Sequence, residues 1–485
     1  MAEGYLAHVR AIESGLNRYA FKTNSVTTFT DSTDAIKSFE DQWREESGRA
    51  RLSGRTPLML ERDRILYSEE LRSQSDRHHI LFFGDARVAR DYASHILRMS
   101  QVSRAICGRL GLNSDLAEAI ALGAKVGGVP FIHVGKKAVD RWVRAKIKSL
   151  DTGTSQPVAG VAGRRRNDQL ALLGRDGNSL PLPTWVDELE DPKLREDVKA
   201  FVPWAAGATD AAAYSSGQQS YWALSLRPFQ LQARRPFVPQ TMYGIWNHSL
   251  TAQRDTARFR HEVVLRADGT QLTITDSHLT HEAVVVRYAD DVTWVVENLS
   301  EASKASSLAN RPNETFNNLA SELRSNDVPA ELQTALSPVP DLGQIYTYFI
   351  NDLVKCSQAA LTDAGDAAPS ETQPLVGLSE TASRMLRSMK RFLGDRVFSE
   401  ERIEYRNRTL EALTATVLDV FWDTRGKALH SYLVERAKLE GWTPDDLAAS
   451  TALLGDPVHR VQASVDALSL MSDREVYRVL GLEAQ

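Results

Sequence analysis

Two runs of helical periodicity, separated by a turn too short for anything but a helical hairpin, constrain this chain more than any other feature. From His95, the residues Met99, Val102, Ile106 and Leu110 recur at the three-to-four spacing of one helix face, and the run stops at Gly111. Asn113 and Ser114 are good N-cap residues, and after them Leu116, Ala119, Ile120, Gly123 and Ala124 make the inward face of a second helix. The two helices therefore pack as an antiparallel pair, with His95 pointing inward. Side chains 95, 124 and 125 meet only if they lie near the same end of that pair, which the spacing permits.

Composition bounds the rest. A chain of 485 residues, 42% apolar and 25% charged, can bury one large core or two ordinary ones. Its net charge of −5 and pI near 6.2 give no global basic field, so any site for a polyanion is local. Two cysteines, Cys107 and Cys356, form no disulfide or metal pattern and read as small hydrophobes, which suits a reducing cytosol. The N-terminus lacks the apolar core of a signal peptide, and no run of roughly 18 apolar residues occurs, so a cytoplasmic protein with no membrane partner is expected.

Between residues 150 and 240 turn-formers break the pattern into loops and short helices. Alternating strand-formers around Asp268-Gly269 predict one β-hairpin over residues 261–276. By propensity the stretch VVVRYADDVTWVV would be a strand. Residues 358–377 are poor in apolar side chains and read as a flexible loop, and helices follow to the C-terminus. Arg164, Arg165 and Arg166 form a basic loop open to phosphate or single-stranded nucleic acid, although no aromatic residues interleave with them. His78-His79 has no second cluster to make a metal site, and Asp466 and Asp473 read as helix-surface and capping residues. No P-loop, GxSxG or Cys-His nucleophile arrangement is present.

Five segments, in order, resemble the HD-domain deoxynucleoside triphosphate triphosphohydrolases, the dGTPase family. They are ERDRILYSEELRS (Glu61 to Ser73), RDYASHILRMSQVSRAI (Arg90 to Ile106), AIALGAKVGGVPFIHVGKK (Ala119 to Lys137), YGIWNHS (Tyr243 to Ser249) and HEAVVVRYADDVTWVVENLSEA (His281 to Ala302). A weaker match covers Arg460 to Leu480. The resemblance implies an all-α fold: an N-terminal helical extension to residue 60, an HD core over 61–310 carrying the hairpin, and a C-terminal helical region over 311–485. It also makes the last of the five segments a buried helix rather than a strand.

In that family a divalent cation is held by two histidines and two aspartates, and it polarises a phosphoryl oxygen or activates water. The resemblance puts the first ligand at His95 and the last at Asp290. The middle His-Asp pair is replaced by Ala124 and Lys125, so two ligands are gone and an ammonium stands where a dication would sit. Gly128, Val129, Lys136 and Glu297-Asn298 depart from the family around the same place. His133 keeps the loop histidine that works beside the scissile phosphate, and Trp294 stands for a tyrosine near the nucleotide. Arg64 matches an arginine of the first motif. Nucleotide-binding candidates are thus Arg64, Lys125, His133 and Trp294, with His95 and Asp290 as residual metal ligands and Lys125 a candidate partner for Asp290.

Three readings follow. In the first, no cofactor binds the HD site and the chain is a catalytically impaired relative that binds a deoxynucleotide or a partner subunit in a regulatory or sensing role, with phage defence as one setting for it. The second is an active dNTP triphosphohydrolase using Mg or Mn. The third is a single-stranded nucleic-acid binder acting through Arg164 to Arg166. An oligomer is expected by resemblance, either of this chain or with an active paralogue.

Overall fold

The computed structural model describes residues 11–16, 20–22, 54–77, 91–152, 190–195, 214, 216–225, 237–248, 263–267, 270–274, 280–308, 314–323, 328–336, 341–363, 375–423, 426–440, 444, 447–448, 451 and 454–482. In chain order these hold α1 (Pro57–Leu66), α2 (Glu69–Arg72), α3 (Tyr92–Leu110), α4 (Ser114–Gly123), α5 (Ile132–Asp151), α6 (Ser216–Ser225) and α7 (Pro239–Asn247). A two-stranded antiparallel hairpin follows, β1 (Val263–Ala267) with β2 (Thr270–Ile274), in the register Val263 to Ile274 and Ala267 to Thr270. Next come α8 (His281–Leu308), α9 (Glu314–Leu323), α10 (Ala330–Leu336), α11 (Leu342–Asp363), α12 (Glu380–Phe392), α13 (Glu401–Asp423), α14 (Lys427–Glu440), α15 (Pro457–Leu468) and α16 (Asp473–Val479). The fold is all-α. No helix among the described residues is long and apolar enough to cross a membrane.

The helical hairpin read from the sequence is the centre of the molecule. Asp91 caps α3 by accepting from Ser94 N, and the helix ends at Gly111 in the left-handed conformation. Asn113 caps α4 by accepting from Asp115 N and Leu116 N. Leu116, Ala119, Ile120, Leu122 and Ala124 are all at most 1% exposed, and each leucine or isoleucine so buried contributes about 1.5–3 kcal/mol. α1 packs on α4, and α8 packs on both α3 and α4. Burial, not propensity, decides α8: its β-branched run Val284, Val285 and Val286 fills the core shared with α3, α4 and α11.

Buried polar groups fix the elements around the hairpin. Glu61 is fully buried and its carboxylate accepts from Val238 N and from Thr241 Oγ1 at 2.6 Å, so α1 caps α7. Glu282 accepts from Phe21 N and Asn113 N, tying the start of α8 to the turn between α3 and α4. A second core joins α5 to α13, α14, α15 and α16, so apolar contact runs across the boundary expected at residue 310.

Two expectations are corrected where the described residues reach them; residues 364–374 of the expected loop lie outside those residues. The flexible loop placed at 358–377 is helical at its start, because α11 continues to Asp363 and buries Leu361; at its other end Val376 is fully buried. The polar composition of that segment conceals two apolar anchors. Asp466 and Asp473 are also buried rather than on helix surfaces. Asp466 Oδ1 accepts from Gln219 and Gln462, and Asp473 Oδ1 accepts from Phe131 N.

Arg77 binds the halves of the molecule together. Its guanidinium is wholly buried and donates to Gln74 Oε1, Gly128 O, Ser469 O and Met471 O at 2.6–3.0 Å. Burial pushes its pKa down to about 10, so the charge persists at neutral pH. Gly127, near it, touches α6 so closely that a Cβ would stand 2.2 Å from Ser220 N. Arg77→Met should lower stability by about 3 kcal/mol, because buried carbonyls lose their donor, as measured by urea unfolding. Gly127→Ala should cost a similar amount, about 3 kcal/mol, since backbone must move to admit the methyl group.

Candidate functional site

The segment between α4 and α5 carries the chemistry. It leaves α4 at Ala124, passes Lys125 and enters α5 through Phe131 and Ile132, whose φ values are 58° and 47°. Left-handed backbone at two consecutive non-glycine residues, one of them β-branched, is strained by about 1–3 kcal/mol each. It is held by contacts on several sides: Asp473 takes Phe131 N, Arg77 takes Gly128 O, Gln74 donates to Val126 O, and Tyr214 donates to Gly127 O. The strain ends one residue before His133.

Lys125 turns into the protein, with only 8% of its surface exposed, and Nζ donates to Asp290 Oδ2 at 2.6 Å. His95 lies against the other oxygen: Nε2 is 3.2 Å from Asp290 Oδ1, and Nδ1 is 2.7 Å from Glu297 Oε2. Arg98 closes the chain at Glu297 Oε1, 2.5 Å away, and Tyr92 stacks on the imidazole at 5.5 Å. Three of the residues singled out in the sequence, His95, Lys125 and Asp290, are therefore in contact.

The charges support one another. Burial alone would lower the pKa of His95, but its hydrogen bonds to Asp290 and Glu297 outweigh that and raise it. Burial likewise disfavours the Lys125 ammonium, yet Asp290 more than offsets this and raises its pKa. Burial would push the Asp290 carboxyl up, whereas Lys125 and His95 hold it well below the usual carboxylate range. Arg98, His95 and Lys125 thus alternate with the carboxylates of Glu297 and Asp290. Among the described residues no group of three or more His, Cys, Asp or Glu side chains is arranged to hold a metal ion.

Trp294 stands one turn after Asp290, half-buried, edge-on to Phe398 at 5.8 Å and to the exposed His133 at 6.4 Å. Its indole N–H has no hydrogen-bond partner among the described residues. Arg64 stacks over the Phe237 ring at 4.2 Å. Arg72 pairs with Glu69 at 2.5 Å. Arg164, Arg165 and Arg166, and His78-His79, lie outside the described residues.

Sequence reasoning missed Glu297 and Arg98 as partners, and it missed His248. Two helical turns separate Glu297 from Asp290, so the shared face was legible in the spacing. His248 is 4% exposed; its Nδ1 lies 2.9 Å from Ile245 O and its Nε2 has no partner among the described residues. Burial, and then the nearby Lys125, push its pKa down to about 3, so this imidazole is neutral.

Fold and cluster together define an all-α protein built around a buried histidine and lysine that share a partly buried aspartate. No family model matches the chain. Segments of it match proteins named deoxyguanosinetriphosphate triphosphohydrolase-like: 38% identity over 87 residues with that of Cereibacter sphaeroides, 33% over 112 with that of a Caulobacter species, and 35% over 109 with that of Caldanaerobacter subterraneus. The matched parts are 18%, 23% and 22% of this chain and only 23%, 27% and 32% of those relatives. Over those segments the chain is similar to proteins of that name, and it spans less than a third of the length of each.

His95→Gln should test the charge network by its pH dependence. A raised folded-state pKa means that the imidazolium's contribution is full below the unfolded value of about 6.5 and is lost as pH rises through the folded value. The stability gap between wild type and variant should therefore be widest in acid and shrink above neutrality, as followed by thermal melts over the range from weakly acidic to weakly alkaline buffer.

Proposed function

We propose that this chain binds a deoxynucleoside triphosphate beside the His95–Lys125–Asp290 cluster without hydrolysing it, as a regulatory or sensing relative of the dGTPase family. One observation carries the reading: the Lys125 ammonium lies 2.6 Å from Asp290 Oδ2, on the carboxylate that the resemblance assigns to a metal. A divalent cation would have to displace a buried ion pair and accept an ammonium as neighbour, and His95 already has a carboxylate at each nitrogen. The residues present do not fit the metal.

The Lys125 ammonium and the Arg98 guanidinium at the edge of the cluster favour an anion instead, and charge-assisted hydrogen bonds to phosphate are strong. Trp294 and His133 add an aromatic face and an exposed imidazole beside the cluster, surfaces suited to a sugar or base. A homo-oligomer, or a hetero-oligomer with an active paralogue, would give a non-hydrolysing binder a route to act on others. The relatives' names favour the alternative of an active triphosphohydrolase; the donor set of this site opposes it.

Wild type and Ala124→His/Lys125→Asp should be assayed for tripolyphosphate release from each of the four deoxynucleoside triphosphates with magnesium, manganese or cobalt. Wild type should be silent. Calorimetry should show that wild type binds at least one of these nucleotides and that Lys125→Ala binds it about tenfold more weakly or worse. Turnover by wild type at about 1 per second, as for ordinary enzymes, or unimpaired binding by Lys125→Ala, would overturn the reading.

A further inference from the structure

Lys136 and His248 take no part in the Lys125–Asp290 pair, yet both stand within its electrostatic reach. Lys136, in the second turn of α5, donates from Nζ to Ser216 Oγ, and Ser216 is the first residue of α6. No carboxylate forms an ion pair with it among the described residues. Burial, then repulsion from Lys125, bring its pKa down to about 7. His248 reaches the same place from α7. That helix approaches α4 so closely that a Cβ on Gly123 would stand 2.4 Å from Ile245 Cδ1, and His248 follows Ile245 by one turn. α6 packs along α7 there: Leu224 and Ile245 both crowd Gly123, and Tyr221 is edge-on to Trp246 at 5.2 Å, an antiparallel pairing that carries the Ser216 end of α6 toward His248.

The hydrogen-bonding capacities are complementary. Ser216 Oγ accepts from Lys136, so its own proton is available to a ligand, and the N-terminal end of α6 carries the positive end of the helix dipole. The neutral His248 gives its Nδ1 proton to Ile245 O, which leaves Nε2 as an acceptor, in a residue 4% exposed, with no partner among the described residues. One ligand group satisfies all three: a terminal phosphate carrying one proton. Its charged oxygens accept from Lys136 and Ser216, while its P–OH donates to His248. A phosphodiester has no such proton to give.

We propose that Lys136, Ser216 and His248 form a subsite for a terminal phosphate, selecting free polyphosphates and nucleotides over the phosphodiester backbone of nucleic acid. The subsite lies beside the Lys125–Asp290 pair and does not need it broken. It deepens the nucleotide-binding reading above and rests on it for the rest of the ligand.

Calorimetry with tripolyphosphate, with the four deoxynucleoside triphosphates and with an oligothymidylate lacking terminal phosphates tests it. Wild type should bind tripolyphosphate and not the oligothymidylate. Lys136→Met should weaken tripolyphosphate binding by about tenfold or more, and His248→Phe should weaken it too, with a cooperative thermal melt showing that each variant is folded. Equal binding by Lys136→Met, or oligothymidylate binding as tight as that of tripolyphosphate, would overturn the subsite. If the nucleotides bind wild type and Lys136→Met alike while Lys125→Ala weakens them, the subsite falls and the nucleotide reading stands. If tripolyphosphate binds through Lys136 but no deoxynucleotide binds wild type, the subsite stands and the nucleotide reading falls.

Discussion

The guanidinium of Arg77 is the contact on which the site's geometry depends. It joins Gln74, Gly128, Ser469 and Met471, positions nearly four hundred residues apart at the extremes, through hydrogen bonds in a wholly buried setting. Water cannot replace those bonds, so the segment from Lys125 to Ile132 is held between the helical hairpin and the C-terminal helices. That grip sustains the left-handed backbone at Phe131 and Ile132, with Asp473 holding the amide of the first. The C-terminal region thereby becomes part of the site without placing a reactive group in it.

Within this frame Lys125 and Asp290 form an ion pair that would be costly if either partner stood by itself. Each would leave a buried charge uncompensated, and His95, Glu297 and Arg98 extend the pairing toward the surface. A lysine does here by fixed charge what a bound cation does elsewhere: it neutralises the aspartate at the bottom of the site. It supplies neither a Lewis acid nor an activated water. The same charge raises the cost of burying any further cation, so that repulsion from Lys125 adds to burial in pushing Lys136 and His248 toward neutrality.

The central helical hairpin was legible because apolar spacing, the Gly111 stop and the Asn113 cap agree with one another at every level. The strand-like α8 was not legible by propensity, since Val284, Val285 and Val286 are helical only through the core they fill. The start of the supposed loop at 358–377 was missed for a related reason: Leu361 gains its helical setting from packing into the core shared with α3, α4 and α8, which no local average registers. Of the site, His95, Lys125 and Asp290 were found through motif resemblance, whereas Arg77 and His248 were not singled out. An arginine after a short polar turn reads as a surface charge, and a histidine at a helix end reads as a cap.

The sequence by itself determined the helical class and the inward direction of His95, because these depend on residue type and on periodicities of a few residues. Tertiary structure alone decided that Lys125 meets Asp290, that Glu297 takes the far nitrogen of His95, and that Lys136 and His248 come close enough to sense the same ion pair. Those pairings join residues as much as 202 positions apart. Their strength comes from the low dielectric of a packed interior, which exists only once the helices have closed around them.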